Sequence, residues 1–148
     1  MADNFSLVNA AGSTVTVAAK DNSSVYTPRH YVDAAIAGGC SIFRSLDLDE
    51  SEEEVKATAG QVYSIKGYNA NAAVRYLKLY NATAANVTVG TTTPVITIPL
   101  EAQKVFEWNP SFPATFATAI TAAATTGLAD NDTGAPSAND IIINILYK

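Results

Sequence analysis

The densest group of side chains able to do chemistry lies in DLDESEEEV, where Asp47, Asp49, Glu50, Glu52, Glu53 and Glu54 crowd one short segment. Carboxylate oxygens at this density can coordinate Ca²⁺, but a calcium loop also needs regular ligand spacing and a turn glycine, and both are lacking. A solvated turn between two strands accounts for the run better, and a partner's basic patch is a further use for it. ADNDTGAPSAND offers a similar pattern, with Asp130 and Asp132 spaced like the first ligands of a calcium loop. There Gly134 comes one residue early and Ile141 stands where a bidentate Glu belongs, so a long polar turn is expected instead. No metal ligand is assigned.

Acid–base or nucleophilic catalysis needs groups of matched, shifted pKa in one pocket, commonly including His. The chain has one His, His30, beside Arg29 and close to Tyr26 and Tyr31, with no strong partner in sequence, and a structural or surface role is expected for it. Cys40 stands alone, cannot form an internal disulfide, and reads as a small buried hydrophobe. P-loop, nucleophile-elbow and zinc-ligand spacings are missing. The expectation is therefore a chain that is not an enzyme, with no catalytic residue and no cofactor.

Aromatic residues are the other resource. Tyr63, Tyr68, Tyr76, Tyr80, Phe106 and Trp108 recur in successive extended segments, where they can pack a core, bury area against a protein or stack on sugars. Strand parity puts Tyr76 and Tyr80 on the face of Lys78, away from Leu77 and Leu79, and favours their exposure. The candidate interface residues are therefore Tyr26, Arg29, His30 and Tyr31 near the start of the chain, and Tyr76, Lys78, Tyr80 and Trp108 in its body.

Positioning these residues falls to strands. Residues 1–39 form a segment thin in large apolar residues, with Val15 and Val17 alternating with Thr, and it reads as an N-terminal arm or hairpin ending at Gly38-Gly39. Residues 40–148 carry period-two alternation at short spacing, in SIFRSLDLD, EVKATA, GQVYSIKGYNA, VRYLKLYNA, VITIPL, QKVFEW, FATAITAAATT and DIIINILYK. Within them Ile42, Arg44, Leu46 and Leu48 share a face against Phe43 and Ser45. Tyr63 and Ile65 stand opposite Val62 and Lys66, and Ile141, Ile143, Ile145 and Tyr147 line one side. Pro99 marks an edge or strand end because it has no amide to donate. FATAITAAATT is alanine-rich and helix-capable, but its Thr content and its bounding Pro113 and Gly127 favour a strand. Strands of this length and number predict an all-β fold, a jelly-roll-like antiparallel β-sandwich carrying an extended N-terminal arm.

Composition narrows the classes. The 148 residues are 48% hydrophobic and 16% charged, against about 25% charged for an average domain, so much of the surface must be small and neutral. A net charge of −5 with scattered Lys and Arg argues against nucleic acid as a partner. The opening MADNFSLVNAAG has no basic region followed by an apolar run, and no stretch is apolar for the length of a membrane helix, so neither a secretory signal nor a membrane partner is expected.

RYLKLYN, the VGTTTPV turn, ATTGLADNDTG and the AND-apolar-YK ending together resemble a C-terminal module that recurs in virion proteins of tailed bacteriophages, cyanobacterial and marine phages among them. The resemblance spans residues 53–148; KDNSSVYTPRHYVD resembles the openings of such proteins more loosely, and the acidic run falls outside the pattern. It implies a structural protein of the virion, a capsid decoration or cement protein on the capsid surface, assembled in the bacterial host cytoplasm. It further implies the phage major capsid protein as partner, self-association as a homotrimer, and an arm, here residues 1–39, that clamps neighbouring subunits. A tail, neck or baseplate adaptor and a host-glycan-binding module are the alternatives, the last resting on Tyr76, Tyr80 and Trp108.

Overall fold

Alternating Ile, Val and Leu residues form strands whose one face must leave water, and two such sheets satisfy each other. A computed structural model describes the backbone of residues 4–8, 14–22, 25–28 and 38–148, and the side chains of 38–148. Two units result, Met1–Ala37 and Gly38–Lys148. In the first, β1 (Asn4–Val8), β2 (Thr14–Asn22) and β3 (Val25–Pro28) make an antiparallel sheet in the order β1-β2-β3.

The second unit holds β4 (Ser41–Ser45), β5 (Glu53–Lys56), β6 (Gly60–Asn69), β7 (Arg75–Tyr80), β8 (Ile96–Leu100), β9 (Lys104–Trp108), β10 (Ala114–Phe116), β11 (Ile120–Thr125) and β12 (Ile141–Tyr147). One antiparallel sheet runs β10-β6-β12-β4, with β9 also pairing to β6; the other runs β5-β11-β7-β8. The fold is an all-β sandwich. Its core joins Val62 and Ile65 of β6 and Ile141, Ile143 and Ile145 of β12 to Leu77, Leu79, Leu100, Ala122 and Ala124 of the facing sheet. Each fully buried Leu or Ile contributes about 1.5–3 kcal/mol.

The alternation of Leu77 with Leu79 and of Ile141, Ile143, Ile145 and Tyr147 is as the sequence predicts, and Pro99 lies on β8, an edge strand. Three details differ. Val62 and Ile65 are both buried, because the register with β12 skips Tyr63: Leu146 pairs with Ser64 and Tyr147 with Val62. One extra residue turns the parity of everything beyond it. The opposite edge of β6 is interrupted at the same place, with β10 pairing residues up to Val62 and β9 those from Ile65. Next, FATAITAAATT is extended, but as two strands in different sheets, β10 and β11. Finally, on β4 it is Phe43 and Ser45 that turn inward while Ile42 and Arg44 face out, and Leu46, just past the strand, is exposed. Leu48 reaches the core only because the chain has left the strand, its amide donating to the Ile141 carbonyl at 3.0 Å.

Candidate interaction face

Each sheet has an outer face, and the two are finished differently. The outer face of β5-β11-β7-β8 is covered by the connections at 81–95 and 126–134. Tyr80 packs there with Val87, Val89 and Ala123, and Thr121 Oγ1 donates to the Ala82 carbonyl at 2.7 Å. Lys78 is wholly buried, and its Nζ donates to the carbonyls of Ala129 (2.7 Å) and Asp132 (3.4 Å). The ADNDTG loop is thus built around an internal ammonium where a calcium loop would hold its ion. The Asp132 carboxylate accepts the amides of Gly127 at 2.9 Å and Gly134 at 3.1 Å, closing the turn on itself. Gly90, at φ +85°, lets the 81–95 connection lie against this loop; a Cβ there would meet the Thr133 methyl.

Strand parity therefore places Lys78 and Tyr80 on the outer side, but the expected exposure is wrong. Both are 0% exposed, Tyr76 is half-buried, and Trp108 packs against the main core. Parity fixes which way a side chain leaves its sheet; it is silent on whether a distant loop lies across that side. The Tyr80 hydroxyl is left with no hydrogen-bond partner. Burial, and then the charges of Glu52 and Asp130, push its phenol up to about 12. Tyr26 lies on β3, where only the backbone is described, and Arg29, His30 and Tyr31 lie outside the described residues. Cys40 is half-buried rather than buried.

The acidic run is largely engaged within the fold. Glu52 accepts the Val89 amide at 3.1 Å, Asp49 that of Ser51 at 2.8 Å, and Asp47 that of Asn139; Glu53 accepts the Ser45 hydroxyl at 2.8 Å. Burial raises Glu53 above the ordinary carboxylate range, the Ser45 hydroxyl partly offsets this, and Asp49 and Asp47 add to the rise. A second polar centre, which sequence reasoning missed, surrounds Asp140. Its carboxylate accepts Arg75 Nε at 3.2 Å, the Asn71 amide at 3.0 Å and the Ser137 backbone amide at 2.9 Å. Burial alone would raise Asp140; the Asn71, Ser137 and Arg75 donors outweigh it and hold the carboxyl below its usual range. Asn69, wholly buried beside it, donates to the carbonyls of Ala73 and Leu100. These groups fasten the 69–75 turn to the start of β12.

Among the described residues nothing lies across the outer face of the other sheet. Three cross-strand rows run over it. Val105, Tyr68 and Ile142 are register partners across β9, β6 and β12. Glu107, Lys66, Asn144 and Arg44 follow as a polar row across all four strands, and then Ser64, Leu146 and Ile42. Val105 is 77% exposed, Ile42 67% and Tyr68 37%. Lys66 and Glu107 form an ion pair at 2.9 Å, which together with the Asn109 amide holds Glu107 below the usual carboxylate range. Arg44 is exposed and has no ion-pair partner among the described residues. Phe112, in the connection between β9 and β10, is 84% exposed. A sequence signal for this face existed: SIFRS and DIIINILY carry large apolar residues at both parities, which a strand buried on one side does not need. Two rows with exposed apolar side chains thus flank a polar one, and among the described residues no pocket opens onto this face.

No protein family, curated protein or solved structure matches the chain.

Proposed function

We propose that the protein is a structural component of a tailed-bacteriophage particle, a capsid decoration protein that binds the assembled major-capsid lattice through surface contact rather than catalysis. The supporting observation is where the phage-like segments lie. RYLKLYN is β7, VGTTTPV belongs to the 81–95 connection and ATTGLADNDTG to the loop after β11, and they interlock through Lys78, Tyr80 and Gly90. AND-apolar-YK supplies Asp140 and β12. Segments far apart in the chain thus interlock over the covered sheet and, through Asp140 and β12, build the sheet that faces it, as a module whose recurring residues specify a scaffold should. The strand order, with crossings between sheets at every link except β7–β8 and β9–β10, supports a jelly-roll assignment for that scaffold.

A protein that binds only the assembled lattice stabilises it by mass action, about 2.7 kcal/mol per site at a hundredfold excess over Kd. The glycan-binding alternative is weakened, since Tyr80 is buried and Trp108 packs on the core, leaving the half-buried Tyr76 of its three residues. Immunogold labelling of virions carrying the protein tests the proposal. Gold over the heads is expected; gold confined to tails or baseplates would overturn it in favour of the adaptor role.

A further inference from the structure

We propose that the open face of the β4-β12-β6-β9 sheet is a self-association surface, and that its occupant is the same face of a second copy, related by a twofold axis parallel to the strands. This goes beyond the capsid reading and does not depend on it.

Charge placement selects this occupant. The polar row reads Arg44, Asn144, Lys66, Glu107 from one edge of the sheet to the other, with a cation that has no ion-pair partner among the described residues at one end and a carboxylate ion-paired only to its row neighbour Lys66 at the opposite end. Two sheets that pack face to face keep their strands within about 30° of each other, so rows meet rows. A twofold axis along the strands preserves each row and reverses its order. It lays β4 over the partner's β9 and β12 over the partner's β6, bringing Arg44 to the partner copy's Glu107 twice, once from each side. The same operation sets Tyr68 against Ile142 in the neighbouring row, so the exposed apolar area is covered as well. A twofold axis across the strands would instead lay β4 on β4 and bring Arg44 near Arg44. Like-charge contact of that kind is strongly disfavoured, so the face selects one orientation. Such an interface is isologous and closes at two copies. It differs from the threefold assembly that the phage resemblance implies, which would need another surface.

Sedimentation velocity on the full chain over a concentration series tests this. A reversible monomer–dimer equilibrium is expected. Arg44→Glu sets two carboxylates together and Glu107→Arg two guanidinium groups, and each alone should weaken the dimer at least about tenfold. The double variant R44E/E107R restores opposite charges and should recover dimerisation. Circular dichroism on the same samples separates lost association from lost folding. A chain that stays monomeric throughout, a trimer, or a double variant no better than either single one would overturn the proposal.

Discussion

The two outer faces of the sandwich have similar strands beneath them and opposite fates. On β5-β11-β7-β8 the long connections return across the sheet, and a lysine, a tyrosine and two threonines are withdrawn from water. Each of these polar groups except the Tyr80 hydroxyl finds a hydrogen-bond partner there: Lys78 the carbonyls of Ala129 and Asp132, Thr121 that of Ala82, Thr125 that of Gly127. On β4-β12-β6-β9 nothing among the described residues does the same, and Val105, Ile42 and Tyr68 remain in solvent. The contrast separates residues that make the scaffold from residues free to make contacts. β11, covered on both faces, is built mostly of small residues and reads ITAAAT, while its neighbour β7, buried on both faces from Leu77 to Tyr80, carries large ones.

Breaking the covered side should have the largest effect. Lys78→Ala removes a buried stem and the donor to two loop carbonyls, and is expected to lower stability by about 3 kcal/mol. Urea unfolding would measure it, with faster amide exchange over residues 129–134. A loss below about 1 kcal/mol would mean that the loop is not held by Lys78.

Tyr80→Phe sharpens the same comparison with the opposite sign. Removing a buried hydroxyl that has no partner should raise stability by about 1 kcal/mol. The pH dependence follows from the raised phenol. Its folded value, about 12, lies above its ordinary value of 10.0, so its contribution is complete below the ordinary value and is lost as pH rises through the folded one. Wild type should therefore lose stability over that alkaline interval more steeply than Tyr80→Phe. Identical alkaline profiles would show that the hydroxyl is solvated.

How much of this was legible in the sequence depended on the range of the interaction. Period two in VITIPL, RYLKLY and DIIINILYK gave the strands and their core residues, because alternation is local. The β6 bulge at Tyr63 was not legible, since one unpaired residue leaves the composition unchanged and shifts only the parity. The burial of Lys78 and Tyr80 was hidden for a different reason: it depends on connections that return across the sheet, Val87 and Val89 over Tyr80 and the carbonyl of Ala129 on Lys78. Asp140 escaped notice as one acid in a turn-forming stretch, although Arg75 and Asn71 wait for it across the fold. Of the candidate interface residues in the body of the chain, Trp108 and Tyr76 are half-buried and Lys78 and Tyr80 buried; the open face is made by others, of which Tyr68 alone belongs to the aromatic set that sequence singles out.

The smallest effect belongs to the open side. Val105→Asn exchanges an exposed apolar side chain for a polar one and should leave the stability of the monomer within about 0.5 kcal/mol, measured by urea unfolding at low protein concentration. A loss of about 2 kcal/mol or more would show that Val105 is covered within its own chain, and the contrast between the faces would fail.

The most direct test of that contrast is a concentration series of amide NMR spectra on the full chain. Shifts that grow with concentration are expected at Ile42, Arg44, Lys66, Tyr68, Val105 and Asn144, with Tyr80, Val87 and Thr121 unmoved. Movement centred on the covered residues, or no concentration dependence anywhere, would contradict the account.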